Sequence, residues 1–580
     1  MKKAIALGLS LLFAAPAAVM AADPTPTVDE LRQQVQELSK KLEDMSDRVD
    51  RNEKKSATDR INWYGDLRVK ADTLHYKDVT ASQGVFFNFA DFGQRAMSGE
   101  FGALDPATGM PTDPTSPIAK FMAAYPAQAM KWAMGGYAPQ DYFVIADPKK
   151  SDINNDILYT TRLRLGMKAE VAKNVSFSGR LSMYKNWGDS TGVKVFDSWN
   201  SFTMDGTGSG NTSGDWLRVE RAYFDWKDIA DSNFYLSIGR RPSTYGPPGQ
   251  YRENEMRGGT PSGHLVNFNF DGITTGYKLS EHTGIEGQTV RFCYGQGFES
   301  EWGNGELFNE INTKDVHLGG FNIDAINDGT NFLQFTLFRA LDVTDGFKGL
   351  IAFPGQFAQQ MAPTMWNDLQ NFPNFNFVTR VQPSTNIGDI TLGGVGFARE
   401  EMNGVNWFGS FGWTQTDPNG KTGLFGGLLS DPVYSATLVP DPNGGQMIMP
   451  TPNGTTSSTD QENGYSVYAG VQIPAPMGKL GLEYNYGSQY WIPFTQAQDD
   501  MIGSKLATRG HVGEAYYIFD INPNMFIKLG GLYYDYQYTG SGSPVGAPVK
   551  IKDVQNGTAA SMLPAIDEAW DAYASLTVKF

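Results

Sequence analysis

From residue 61 onward the chain alternates. In "INWYGDLRVKADT", residues 61–73, Ile61, Trp63, Leu67, Val69 and Ala71 take turns with Asn62, Asp66, Arg68, Lys70 and Asp72. Successive side chains of a β-strand point to opposite faces, so such a segment has one apolar and one polar face. The pattern predicts strands at 61–74, 157–171, 174–186, 216–229, 232–241, 264–279, 288–296 and 314–324. It continues at 330–340, 385–402, 404–416, 463–474, 477–489, 509–521, 523–537 and 567–580. The links alternate too. Short ones such as "AKN" at 172–174, "ADSN" at 230–233, "NG" at 403–404 and "NPN" at 522–524 are turns. Between them lie long ones at 75–156, 187–215, 242–263, 297–313, 341–384, 417–462, 490–508 and 538–566.

A soluble sandwich gives no reason for that asymmetry. An up-and-down barrel in an outer membrane does, because its turns on the inner side are short and its outward loops long. In hydrocarbon a strand satisfies its backbone only through neighbouring strands, so the sheet must close. The fold expected is an all-β transmembrane, antiparallel up-and-down barrel of about sixteen strands, preceded by a short α-helical coiled coil. The outward faces fit: Val405, Trp407, Phe411 and Trp413 share one, as do Tyr465, Val467, Ala469, Val471 and Ile473, and Leu480, Leu482, Tyr484 and Tyr486.

Composition narrows the function. A net charge of −16 and a mean hydropathy of −0.36 disfavour nucleic-acid binding and a helical membrane protein. A lone cysteine, Cys293, excludes a disulfide framework and a thiolate zinc site, and the five histidines contain no HExxH. No Ser-His-Asp grouping is readable, so neither an enzyme nor a cofactor is expected. "DPNG" at 417–420 and 441–444 is turn chemistry rather than a calcium loop. Cys293, between Phe292 and Tyr294, reads as a small inward filler, and the apolar stretch 116–137 as a cover over the barrel mouth or against a neighbouring protomer.

The first residues are an export label: Lys2 and Lys3, then "AIALGLSLLFAAPAAV", with cleavage expected after Ala21. Residues 22–58 are expected to form a periplasmic coiled-coil segment, and 59–580 the barrel. Val28, Val35, Leu42 and Val49 fall seven apart, with Leu31, Leu38 and Met45 at the companion positions. That seam is buried by another helix, through self-association or by lying on a different surface. Thr27 with Glu30 supplies a capping box.

The last stretch, "AWDAYASLTVKF", carries Trp570, Ala572, Ala574, Leu576 and Val578 on one face and ends on Phe580. It resembles the C-terminal strand of Gram-negative outer-membrane barrels, where a terminal aromatic is the insertion signal read by the assembly machinery. With the strand pattern and loop asymmetry, the chain resembles sixteen-stranded porins, which are usually trimers. "GRRPSTYG", 239–246, is similar to the strand end that enters the third loop of several porin families. The heptad segment departs from general porins and resembles porin-like proteins with a periplasmic coiled coil. The resemblance implies a water-filled channel for passive diffusion of ions and small polar solutes. Its expected partners are outer-membrane lipid, two further copies of the chain, and peptidoglycan or a periplasmic protein at the coiled coil, with no nucleic acid. The competing reading is a structural anchor or a sheath for a periplasmic partner such as a redox protein.

Alternation also names the inner wall. Asp66, Arg68, Lys70 and Asp72 face inward from the first strand, Arg162, Arg164, Lys168 and Glu170 from the second, Arg180 from the third and Arg241 from the fifth. The fourth is ambiguous: an inward Arg221 leaves Glu220 outward, beside Ala222, Phe224 and Trp226. In porins the third loop folds into the barrel and narrows it. Its residues here are Arg252, Glu253, Glu255 and Arg257, and Glu253 and Glu255 would then face the wall arginines across a constriction. The plainer role for the arginines is to pair with nearby carboxylates and hold a wet interior together.

Overall fold

The computed structural model describes residues 37–43, 45–46, 61–81, 149–188, 214–243, 249–254, 263–300, 313–345, 349–353, 377–381, 385–401, 404–423, 426–430, 434–440, 446–452, 459–495, 500–559 and 565–580. The expected leader, Val28, Leu31, Val35 and Val49 of the seam, the 116–137 stretch, Glu255, Arg257 and the side chain of Arg252 lie outside them. The chain divides into two units, Met1–Ile61 and Asn62–Phe580.

In the first unit, residues 37–43 and 45–46 are helical. Lys41 Nζ lies 2.9 Å from Glu37 Oε1, an i,i+4 pair, and Leu38, Leu42 and Met45 are exposed.

The second unit is a closed barrel of sixteen antiparallel strands, each paired with its neighbours in the chain. They are β1 (Ile61–Ala81), β2 (Lys149–Ala172), β3 (Val175–Asn186), β4 (Gly214–Trp226), β5 (Phe234–Pro242), β6 (Asn269–Lys278), β7 (Thr289–Phe298), β8 (Val316–Asn327) and β9 (Asn331–Thr344). The remainder are β12 (Asn386–Arg399), β13 (Asn406–Pro418), β16 (Asn463–Ala475), β17 (Gly478–Gly487), β18 (Gly510–Asn522), β19 (Met525–Tyr536) and β20 (Glu568–Lys579). Two hairpins outside the barrel, β10 (Gly349–Phe353) with β11 (Phe377–Val381) and β14 (Tyr434–Pro440) with β15 (Gln446–Pro452), fall within the long links 341–384 and 417–462. Their runs are too short for alternation to register.

The barrel closes between the chain's two ends. Asp66 pairs with Lys579 and Lys77 with Glu568. Gly65 N–H donates to the Phe580 carbonyl at 2.7 Å, and Phe580 N–H donates to the Gly65 carbonyl at 2.9 Å. A Cβ on residue 65 would stand 2.7 Å from the Phe580 ring, so glycine makes room for the terminal aromatic.

Alternation places the side chains as expected on most strands. Trp407, Phe411, Val467, Leu482 and Leu576 are exposed on the outer face, while Phe408, Ser466, Tyr468, Glu483 and Tyr573 are buried within. On β4 a bulge resolves the ambiguity. Arg180 pairs with Arg221 and Leu181 with Val219, so Glu220 is the extra residue. One inserted residue reverses the phase of the strand. Leu217 and Val219 face out before the bulge and Phe224 and Trp226 after it, while Glu220 is buried.

One expected strand start is corrected. Residues 264–268 are not part of β6, which begins at Asn269. They run inside the barrel beside a second inturned loop: Asn267 N–H donates to the Phe494 carbonyl at 2.6 Å and Phe494 N–H to the Leu265 carbonyl at 2.9 Å. The alternation was real, but the segment pairs with a loop instead of the wall.

These loops seat on an apolar part of the inner wall. Leu318, Phe338, Ile390 and Leu392 form one buried cluster with Leu265, Val266, Trp491, Ile492 and Phe494. A second joins Val512, Ile518, Phe526 and Tyr534 to Ile502, Ile551 and Val554. Removing such surface from water stabilises the inturned loops by about 25 cal/mol per Å² buried.

Candidate functional site: a loop clamped across the barrel

The third long link, L3, leaves β5 at Pro242 and returns at β6 (Asn269). Its helical turn Gly249–Arg252 and the next two residues cross the lumen. On one side Tyr251 stacks on Phe408 with centroids 4.8 Å apart, its hydroxyl donates to Glu400 Oε1 at 2.6 Å, and Gln472 Nε2 donates to its carbonyl at 2.7 Å. On another side Lys579 Nζ donates to the Asn254 carbonyl at 2.7 Å, Lys479 Nζ to Asn254 Oδ1 at 3.1 Å, and Asn254 Nδ2 to Asp520 Oδ1 at 3.0 Å. Glu400, Lys479, Asp520 and Lys579 all stand at the short-turn ends of their strands, so L3 reaches deep into the barrel.

Between those anchors Glu253 meets the arginines of β1 and β2. Its carboxylate is 2.7 Å from Arg162 Nη2, 3.5 Å from Arg68 Nη1 and 4.0 Å from Arg164 Nη2. Asp66 binds the same group, 2.6 Å from Arg164 Nε and 3.3 Å from Arg162 Nη2. Three guanidinium groups thus gather around the carboxylates of Asp66 and Glu253. Burial pushes the Glu253 carboxyl up, but Arg162, Arg68 and Arg164 outweigh it and hold it well below the usual range.

The other expected residues divide around this clamp. Arg180 forms a two-pronged pair with Glu220, its Nε 2.8 Å from Oε2, and Arg221 Nε lies 3.8 Å from Glu220 Oε1. Lys70 pairs with Asp72, lies 3.9 Å from Asp571 Oδ2, and sits 4.6 Å from the Tyr573 ring centroid. Arg241 stands apart. Its Nε donates to Ser237 Oγ at 2.7 Å, its Nη1 donates to Thr274 Oγ1, and it lies 5.9 Å from the Tyr223 ring centroid. Arg240 is at the rim, 3.0 Å from Asp271. Glu253 does not stand across a gap from the wall arginines, as alternation and the third-loop resemblance imply, but touches them.

A second network was not anticipated. Lys505, in the short helix Lys505–Ala507 of the β17–β18 link, enters the lumen and pairs with Glu483 and, at 2.6 Å, with Glu514 Oε2. Tyr573 donates to Glu514 Oε1 at 2.6 Å, and Lys528 Nζ is 3.6 Å from that oxygen. Alternation could find Glu483 and Glu514, which are inward strand positions. Nothing in the local pattern of a loop marks Lys505 as inward. Between this network and the clamp lies a small polar cavity bordered by Arg68, Lys70, Glu253, Asp500, Glu514 and Lys528.

The root of L3 is pinned by His264, which is fully buried. Its Nε2 and Nδ1 each lie 2.8 Å from a hydroxyl, Ser466 Oγ and Ser410 Oγ. Ser466 directs its own proton to the Tyr486 carbonyl at 2.6 Å, so Nε2 is the donating nitrogen and Nδ1 accepts from Ser410. Burial lowers the imidazole pKa to about 3.

Residues 152–580 match the model of a family described as "Protein of unknown function (DUF3373)". The chain belongs to that family. No curated protein matches it by sequence. Among solved structures it is similar to the outer-membrane-expressed OmpT of Vibrio cholerae, at 10% identity over 90% of this chain and 97% of that one, with a TM-score of 0.34. It is similar to a mutant porin of Rh. blastica at 9% identity, over 90% and 100% of the chains, with a TM-score of 0.32. OmpF of Salmonella typhi in complex with daunomycin gives 10% identity, 90% and 97% coverage and a TM-score of 0.33.

Proposed function

We infer that this family member is an outer-membrane channel of narrow bore for passive diffusion of ions and small polar solutes. The observation that carries it is the contrast between the two faces of one closed sheet. Outside, Leu67, Leu337, Phe411 and Leu482 are exposed. An apolar band of that extent is stable in lipid and not in water. Inside, the wall is polar and charged at the depth where L3 crosses: Arg68, Lys70, Glu253 and Lys528 border a polar cavity, with Arg162, Arg164 and Glu514 buried behind them. Arg180, Arg221 and Arg241 line the wall beside them, with Arg252, Glu255 and Arg257 on the same loop. Phe580 serves as the insertion signal, three copies assemble in the membrane, and the helical segment gathers them in the periplasm, where it meets peptidoglycan or a protein.

The anchor reading also has an observation in its favour. Apolar clusters pack the inturned loops against the inner wall, which a structural barrel would tolerate. Planar-bilayer recording of the purified full chain separates the two. Steady current steps, in sets of three for a trimer, support the channel, and silence of well-folded protein supports the anchor.

A further inference from the structure

We propose that the tip of L3 is a latch for the closing seam of the barrel, with Glu253 holding one side of the seam and Asn254 the other. The two residues are consecutive, yet their contacts divide between the two ends of the chain. Glu253 reaches Arg68 on β1 at 3.5 Å and Arg162 on β2 at 2.7 Å. Asn254 is held by β17, β18 and β20. Its Oδ1 accepts from Lys479 Nζ at 3.1 Å, its Nδ2 donates to Asp520 Oδ1 at 3.0 Å, and its carbonyl accepts from Lys579 Nζ at 2.7 Å. L3 therefore spans the junction of β1 and β20 from inside the lumen.

The seam itself shows what the latch replaces. Asp66 and Lys579 are register partners across it and opposite in charge. A direct ion pair would be the local way to tie the two strands. Neither side chain takes it. Asp66 binds Arg162 and Arg164. The Lys579 ammonium has the carbonyls of Asn254 and Glu253 and the Phe526 ring as its partners among the described residues. The link from Asp66 to Lys579 thus runs through Arg162, Glu253 and Asn254. Asn254 suits that place in two ways. Its φ of 51° is left-handed, which asparagine tolerates better than most residues. A primary amide also offers both the acceptor for Lys479 and the donor for Asp520. Coupling of this kind is reciprocal: whatever docking of L3 adds to seam closure, closure adds to docking. The lumen is narrowed only as the last strand pairs. The latch needs no conduction, so it stands or falls apart from the channel reading.

Hydrogen exchange of the detergent-folded full chain, read by mass spectrometry, tests the coupling. Asn254→Gly keeps the left-handed backbone and removes both amide contacts. It should speed exchange in the L3 tip and in the seam peptides 61–70 and 572–580 by roughly tenfold, the scale of one hydrogen bond to a charged group. Strands β7 and β8, which contact neither Glu253 nor Asn254, should keep the wild-type rate. Gly65→Val crowds the seam without touching L3, and it should speed exchange in the L3 tip. Faster exchange in L3 with an unchanged seam would make Asn254 a local fastener and overturn the latch. An equal rise in β7 and β8, which is general loosening, overturns it too, as does no change anywhere or a seam loosened in Gly65→Val with L3 unmoved. Should Asn254→Gly not fold, Lys479→Met removes one amide contact while leaving L3 and the seam strands intact, and the same comparison decides.

Discussion

Arg162 Nη2 lies 2.7 Å from Glu253 Oε2, joining the barrel wall to the loop that crosses the lumen. Removing one partner of a buried pair is destabilising by up to about 3–5 kcal/mol, less here because Arg162 keeps Asp66 at 3.3 Å. Glu253→Gln should therefore loosen L3 and expose Arg68, Arg162 and Arg164 to the passage. The expected outcome in planar bilayers is larger conductance and a reversal potential shifted toward anions. Unchanged conductance and selectivity would place the conducting path elsewhere.

The reverse change tests the wall. Arg162→Glu with Arg164→Glu sets new carboxylates against Asp66 and Glu253, which lie within 4.0 Å of the arginines they replace. Like charges at that range repel, so L3 should undock and the charge of the passage invert. Ion preference should move toward cations, read as a reversal potential of opposite sign in a salt gradient. No shift would mean that these side chains do not border the narrow zone.

Acid should release the same loop, and two groups act in one direction. His264 has a pKa of about 3 when docked, against an ordinary 6.5 when exposed to water. The undocked loop thus takes up a proton first, and docking weakens as pH falls from about 6.5 toward 3. Glu253, held well below its ordinary value of 4.5, keeps its contribution above that value and loses it as pH falls further. Conductance recorded at pH 7 and pH 4 should show the loop freed at the lower pH. His264→Gln keeps a neutral hydrogen-bonding side chain and should flatten the part of the response above pH 4.5. An identical profile in that variant would exclude His264 as a titrating clamp.

Where the sequence was legible, the reason is geometric. Period two reports which face a residue occupies, so Arg68, Arg162 and Arg180 could be placed inward without knowing their partners. It fails where an inserted residue reverses the phase, as at Glu220, although the switch from outward odd to outward even positions on β4 was its trace. It also says nothing of what covers an inward face. Leu318, Phe338 and Leu392 are inward and apolar, and such residues on a strand imply a loop seated on them. Which loop does so depends on contacts far apart in the chain, and for that reason Trp491, Lys505 and the 264–268 segment were not foreseen.

The seam between β1 and β20 makes a stability prediction. A Cβ at residue 65 would meet Arg164 O at 2.6 Å and the Phe580 ring at 2.7 Å. Gly65→Val should strain the closing strands, at a cost of about 1–3 kcal/mol for an overpacked site. The folded band on a semi-native gel should convert to the unfolded one at a lower temperature than in wild type. Equal thermal resistance would show that Phe580 can swing aside freely.

The helical segment carries the last prediction. Leu38, Leu42 and Met45 stand at i, i+4 and i+7 on one helical face and are 65%, 74% and 62% exposed. Three large apolar side chains on one stripe favour a helical partner, and the heptad spacing favours another copy of the same helix. Replacing Leu38 and Leu42 with Asp puts like charges into that seam, a cost that rises as copies approach. The barrel, which is a separate unit, should keep its heat-modifiable fold. Protease protection of residues 28–52 should be lost, and any fraction of the oligomer held only by this segment should dissociate in light scattering. Unchanged protection with an unchanged oligomer would mean that the stripe lies on something other than its own copies.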